Sequence, residues 1–270
     1  MSVNKLNYIL QLADNALIIG HRISEWCGHG PILEQDIAIT NTALDHLGQA
    51  RSLFQYAASL YNELPAEERA AIAPNLNIAA DQIADEDTFP YHRDAWDFRN
   101  VQLLEQDNKD WAYTVARSFF YDQFTVLHYT ALRSSTDASV AAIAEKSLKE
   151  AKYHLKWSSE WVIRLGDGTE ESHARMQEAI NELWAYSGEL FMASEADTAM
   201  LAEGVATALD KIKTDWFTNV YAILSEATLA MPDANAWMHS GGKTGTHTEH
   251  MGFILTELQY VQRAYPNMTW

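Results

Sequence analysis

Residues 32–62 read ILEQDIAITNTALDHLGQARSLFQYAASLYN, and this stretch decides the fold class. Ile37, Ile39, Ala43, Leu44, Leu47, Ala50, Leu53, Phe54 and Ala57 recur at helical spacing and cover most of the circumference. A helix apolar nearly all round is expected in the middle of a helical assembly. Just upstream, Gly28-His29-Gly30-Pro31 breaks the chain, and Pro31 suits the first turn of the helix that follows. Before the break, residues 4–27 place Leu6, Leu10, Ala13, Leu17 and Gly20 on one stripe, so the two helices are expected to form an antiparallel pair.

Downstream, Pro65 and Pro74 open a less regular stretch, residues 63–106, expected to hold short helices and to make a long crossover. Residues 107–133 resume the helical pattern with Val115, Phe119, Asp122, Val126 and Tyr129. Ser134-Ser135-Thr136-Asp137 reads as a tight turn with Asp137 as N-cap of a helix over 138–165, which carries Val140, Ala144, Ala151, Leu155 and Trp161. Gly166-Asp167-Gly168 ends it. Strand signals are nearly absent. Two helical hairpins separated by one long crossover predict an all-α, ferritin-like four-helix bundle. Further helices are expected over 170–193, 205–229 and 247–264, the last after a loop marked by Pro232, Gly241, Gly242 and Gly245. No linker or repeat divides the chain, so residues 1–270 read as one domain, with a core over 4–165 and peripheral helices over 170–264.

Composition narrows the function. Of 270 residues, 47% are hydrophobic and 21% charged, the balance of a globular protein. A formal net charge of −18 argues against nucleic-acid binding, because a polyphosphate would repel the chain. The 9 Trp and 12 Tyr suit deep cores or partner interfaces. Cys27, the single cysteine, forms neither an internal disulfide nor a thiolate cluster and fits a reducing compartment. The start, MSVNKLNYILQLADNALIIG, has one Lys and an apolar run broken by Asp14 and Asn15, unlike a signal peptide. No apolar run approaches the ~18 residues of a membrane span. A cytoplasmic location is the expectation.

A ferritin-like di-iron site takes a Glu from each of two helices and a Glu-x-x-His pair from each of the other two. Carboxylate and imidazole donors suit iron, and the i, i+3 spacing puts a pair on one helix face. Counting about 15 residues to either side of each turn at ~1.5 Å rise sets Asp14 opposite Asp45-His46-Leu47-Gly48-Gln49. The same count sets Asp122 opposite Glu150-Ala151-Lys152-Tyr153-His154. The donors at that depth are poor. The second helix reads His46-x-x-Gln49, and the fourth reads Ala151-x-x-His154 with Glu150 near the edge of the apolar stripe. Asp14 and Asp122 are each one methylene shorter than Glu. These seven positions read as the remnant of a di-iron site, with Asp14, Gln49, Asp122 and His154 in a buried polar network rather than around metal. A single weakly held metal stays open.

Elsewhere, His247 and His250 could suggest zinc, but Thr246 and Glu249 read as a capping box for the last helix and account for the motif without a ligand. His21, Glu25 and Cys27 could suggest a thiol–imidazole pair, against which a lone Cys on an apolar stripe reads as an inert core residue. No Walker loop, dinucleotide fingerprint, nucleophile elbow or His-Glu-x-x-His occurs. The aromatic groups Trp157/Trp161 and Trp184/Tyr186/Phe191 read as core or interface.

Several of these segments form a collinear set: Glu25-Trp26-Cys27-Gly28-His29-Gly30-Pro31, Leu44-Asp45-His46-Leu47-Gly48-Gln49-Ala50-Arg51, Lys149-Glu150-Ala151-Lys152-Tyr153-His154-Leu155 and Leu165-Gly166-Asp167-Gly168-Thr169. Leu190-Phe191, Glu226-Ala227-Thr228-Leu229 and the run from Gly241 to His250 extend it over nearly the whole chain. Together they closely resemble the C subunits of bacterial ring 1,2-phenylacetyl-CoA epoxidases. The resemblance implies a ferritin-like component with no cofactor of its own. The di-iron centre would lie in a catalytic A subunit that this chain binds and supports, with a B subunit bridging assemblies and a flavin/iron–sulfur E subunit delivering electrons from NADPH. An isolated chain would be free to self-associate. The rival reading is an active di-iron oxidase or oxygenase using Asp14, His46, Asp122, Glu150 and His154.

Overall fold

In a computed structural model, which describes residues 3–72, 76, 78, 82–265 and 268, α1 (Val3–Ser24) is followed by α2 (Leu33–Asn62). The two run antiparallel: Gly20 of α1 abuts His46 and Leu47 of α2, whereas Lys5 and Tyr56 from their opposite ends both meet Asp137. The crossover holds α3 (Ala66–Ile72), α4 (Thr88–His92) and the 3-10 turns Ala95–Asp97 and Gln102–Glu105. Pro74, expected within it, lies outside the described residues.

α5 (Trp111–Leu132) and α6 (Ala138–Gly166) make the second antiparallel pair, tied by Asp122 to Ser158 near the middle and Arg133 to Glu145 near the turn. Asp137 caps α6 as expected, accepting from the amides of Ser139 and Val140 at 3.0 and 3.1 Å. The two pairs meet where α2 lies on α6, antiparallel again: Gln49 bonds Glu150, and Gln35 at the other end accepts from the indole N–H groups of both Trp157 and Trp161. α7 (Glu170–Ser187), a 3-10 turn at Gly188–Phe191, α8 (Glu195–Ala202), α9 (Leu209–Glu226), α10 (Glu249–Leu258) and α11 (Tyr260–Ala264) complete an all-helical chain, with no strand among the described residues. The rings of Trp184 and Trp216 pack tilted at 5.8 Å between α7 and α9, and the Trp216 indole donates to the Phe120 carbonyl, which fastens these helices to α5.

The central helices are not the ones expected. Every residue from Tyr8 to Gly20 in α1 and from Ala112 to Thr125 in α5 is buried, because α8, α10 and the crossover close over α1 while α7 and α9 close over α5. In contrast, α2 exposes Leu33, Ile37 and Leu44 at 71, 53 and 60%. Its apolar circumference therefore divides into a face packed inside this chain and a face left exposed. α1 also stops at Ser24, so Cys27 sits exposed in the turn rather than in the core.

The capping box at Thr246 and Glu249 is not formed. α10 starts at Glu249 with Thr248 as N-cap, and Thr248 makes no capping bond of its own. The left-handed Gly245 (φ +87°) keeps Thr246 in the preceding loop, where its amide meets the Gly241 carbonyl and its carbonyl meets the Gln102 side chain. The amide and hydroxyl of Thr248 instead donate to the fully buried Glu105 carboxylate, at 2.8 and 2.7 Å. The helix end is thus satisfied from the crossover, a partner with no local sequence signature. Among the described residues, no helix is long and apolar enough to cross a membrane.

Candidate functional site

Asp14 lies fully buried in the middle of α1, and the crossover supplies its cation. Arg93, equally buried, spans both carboxylate oxygens with its two terminal nitrogens, and the Arg99 backbone amide adds a bond of 2.9 Å. The rest of the guanidinium is also taken: Nε donates to the Phe89 carbonyl, Nη1 to the Asp97 carbonyl, and the Phe98 ring lies 4.2 Å from its centre. A two-pronged Arg–carboxylate contact satisfies charge and lone pairs together, which is what a buried carboxylate needs. Asp14 is also displaced along its helix. The α1 residue that abuts His46 is Gly20, six positions on, or about 9 Å at the rise of an α-helix. The turn between α1 and α2 is not centred where the residue count puts it, so Asp14 does not face Asp45–Gln49 as expected.

The second pair of helices meets the expectation better. His46 from α2, Asp122 from α5 and His154 from α6 are all buried, and one donor atom from each lies within 4.8 Å of the others. The two imidazole rings are 4.8 Å apart at 47°. Ser158, one helical turn beyond His154, donates its hydroxyl to Asp122 Oδ2 at 2.8 Å. On the outer side, Asp45 Oδ2 lies 3.0 Å from His154 Nε2. A carboxylate accepts, so in the neutral ring Nε2 carries the proton and Nδ1 bears the lone pair. Nδ1 of His154 and Nδ1 of His46 are both buried without a hydrogen-bond partner.

Burial sets the electrostatics here. It pushes the Asp122 carboxyl up to about 6, against the pull of His154 and the Ser158 hydroxyl. It pushes His46 well below the usual imidazole range, and the neighbouring His154 adds to the effect. His46 is therefore a neutral nitrogen donor at neutral pH.

The remaining three positions close the layer without offering donors. Gln49 uses both ends of its amide, donating to Glu150 Oε2 at 2.9 Å and accepting from the Tyr129 hydroxyl at 3.2 Å. Glu150 is thereby drawn into a partly buried pair outside the histidine cluster. Ala151 is 1% exposed and fills its slot with a methyl group. The seven expected positions thus separate into a cation-filled carboxylate at Asp14, a histidine–aspartate cluster, and a bonded or apolar remainder. Sequence reasoning misses Arg93, Ser158 and the role of Asp45. Ser158 and Asp45 lie on helices at spacings from which they could be projected. Arg93 sits in irregular chain, where no periodicity points to it.

Two comparisons with known proteins bear on the site. Residues 2–270 match the family described as phenylacetic acid catabolic protein. The chain is 43% identical over 263 residues to the C subunit of the 1,2-phenylacetyl-CoA epoxidase of Escherichia coli (strain K12), covering 97% of this chain and 98% of that relative.

Proposed function

Because the chain belongs to the phenylacetic acid catabolic protein family, we propose that it is the C subunit of a multicomponent 1,2-phenylacetyl-CoA epoxidase. In this reading it is a non-catalytic component that binds and steadies a separate di-iron A subunit in the cytoplasm, with the B and reductase E subunits reached through that partner. The near-complete coverage of the relative supports the assignment, and the two helical hairpins support a ferritin-like bundle as its single domain.

The observation that carries the non-catalytic role is Asp14. A dinuclear iron site draws carboxylates from all four helices. Here the α1 carboxylate is neutralised by Arg93, the position of the fourth-helix Glu is Ala151, and the position of the second-helix His is a Gln already bonded at both ends. This donor set does not fit two irons, and no oxygen chemistry is assigned to it. The exposed Leu33, Ile37 and Leu44 of α2, with Tyr153 of α6, are the candidate contact face, since uncovered apolar side chains on adjoining helices suit a partner.

Co-expression with the A subunit tests the reading. A stable complex on gel filtration is expected, with no epoxidation by this chain alone, and separate elution of the two chains would overturn it. The second reading, an oxidase in its own right, draws on the His46–Asp122–His154 cluster. Two irons per purified chain, with turnover, would establish it instead.

A further inference from the structure

We propose that His46, Asp122 and His154 bind a single divalent first-row transition-metal ion, with Asp45 holding the His154 ring in its ligating tautomer. The donors converge: one atom from each of the three residues, all buried, lies within 4.8 Å of the other two. Both imidazole rings also present an unused nitrogen. Nδ1 of His46 and Nδ1 of His154 are buried and have no hydrogen-bond partner, an uncommon condition for polar atoms in a folded interior. For His154 the chemistry is specific. In the neutral ring, the hydrogen bond from Nε2 to Asp45 keeps the proton on that nitrogen and leaves the lone pair on the unpartnered Nδ1. A carboxylate behind a histidine is the usual support of a metal-bound imidazole, setting its orientation and raising its basicity. Ser158 does the corresponding work for Asp122, holding one carboxylate oxygen from the side.

The donor set chooses the ion. Two imidazoles and one carboxylate suit Zn²⁺, Co²⁺ or Fe²⁺ and are too nitrogen-rich for Ca²⁺ or Mg²⁺. Three protein ligands leave coordination positions for water, as in an open zinc site. The site takes one ion and not two, because Asp14 is already matched by Arg93 and Ala151 offers no donor. The side chain of Asp45 is 38% exposed, so on that side, between α2 and α6, the cluster lies one residue from the surface. The proposal goes beyond a supporting role in the epoxidase without altering it, since one ion held this way supplies no dinuclear centre.

Titration of the chelator-stripped, full-length chain with Co²⁺, followed by its visible absorption bands and by Zn²⁺ competition, tests the site. About one equivalent is expected. His46→Gln, Asp122→Asn and His154→Gln should each abolish the bands while leaving the helical circular dichroism in place. Asp45→Asn should keep the stoichiometry and weaken binding by about 10–100-fold. His128→Phe, a buried histidine outside the cluster, should leave binding unchanged. In case the ligand variants fold poorly, the imidazole ¹⁵N resonances of the unaltered chain give a second readout, in which Zn²⁺ should shift Nδ1 of His46 and His154 together. No Co²⁺ uptake by the folded chain, or uptake that leaves those resonances in place, overturns the proposal. Neither result depends on association with the A subunit, so this site and the supporting role succeed or fail separately.

Discussion

Asp14 and Asp122 are both buried carboxylates on the two central helices, and the chain treats them in opposite ways. Asp14 meets a guanidinium across both oxygens and a backbone amide besides, so its charge is matched inside the fold. Asp122 meets a serine hydroxyl and the neighbourhood of two imidazoles, with no Lys or Arg bonded to it among the described residues, and its carboxyl is pushed up to about 6. The contrast teaches that one buried carboxylate can be closed permanently by a residue from an irregular loop, while another, at a different depth, keeps donors around it without a fixed cation. Chain connectivity explains the asymmetry. The crossover passes beside α1 and reaches Asp14, whereas Asp122 is enclosed by α2 and α6, whose facing side chains here are His46, His154 and Ser158.

The largest effect should come from breaking the matched half. Arg93→Met leaves a buried carboxylate alone and is expected to cost about 3–5 kcal/mol in urea denaturation. Adding Asp14→Leu should recover most of that loss. If the double variant is as unstable as the single one, Arg93 acts through its phenylalanine contacts rather than through Asp14.

A buried histidine away from both carboxylates calibrates the comparison. His128 on α5 is held down to about 4 by burial, with Asp197 opposing and Lys243 assisting. Its folded value lies below the unfolded one, so the unfolded chain binds the extra proton between about pH 6.5 and 4. Stability should therefore be present above pH 6.5 and fall with acidification, by up to about 3 kcal/mol. His128→Phe should flatten that part of the stability–pH curve, and an unchanged slope would place the acid sensitivity elsewhere.

Smaller changes probe the boundary between the halves. Ala151→Leu adds volume at a closed position and should cost about 1–3 kcal/mol by thermal melting. A neutral result would mean that the layer has unfilled room beside His154. Gln49→Leu strands the buried Tyr129 hydroxyl and releases Glu150, for an expected loss of about 1–2 kcal/mol. No loss would show that Gln49 does not join the two hairpins.

Most of the helical order is legible in the chain because hydrophobic spacing reports helices directly, and the Asp137 cap follows from a local rule. What periodicity does not distinguish is a face turned to the core from a face turned outward, which is why α2 reads as the central helix instead of α1. α8 is not among the expected helices because eight residues present barely two turns of pattern. Within the site, the spacing brings Asp122 and His154 together correctly, since both lie on regular helices joined by a short turn. Asp14 is misplaced by the length of the first turn. Its partner Arg93, and Glu105, which meets the start of α10, act from chain without a helical period, so their long-range contacts are invisible before folding.

The Arg93–Asp14 pair also works as a ratchet. Reopening the α1 carboxylate to any other cation means first removing an arginine whose loss strands a charge in the interior, while changing Asp14 first strands the arginine. Either single step passes through a weakened chain, and only a paired change avoids it. A carboxylate held in this way is shielded against gradual change, whatever happens at the histidines.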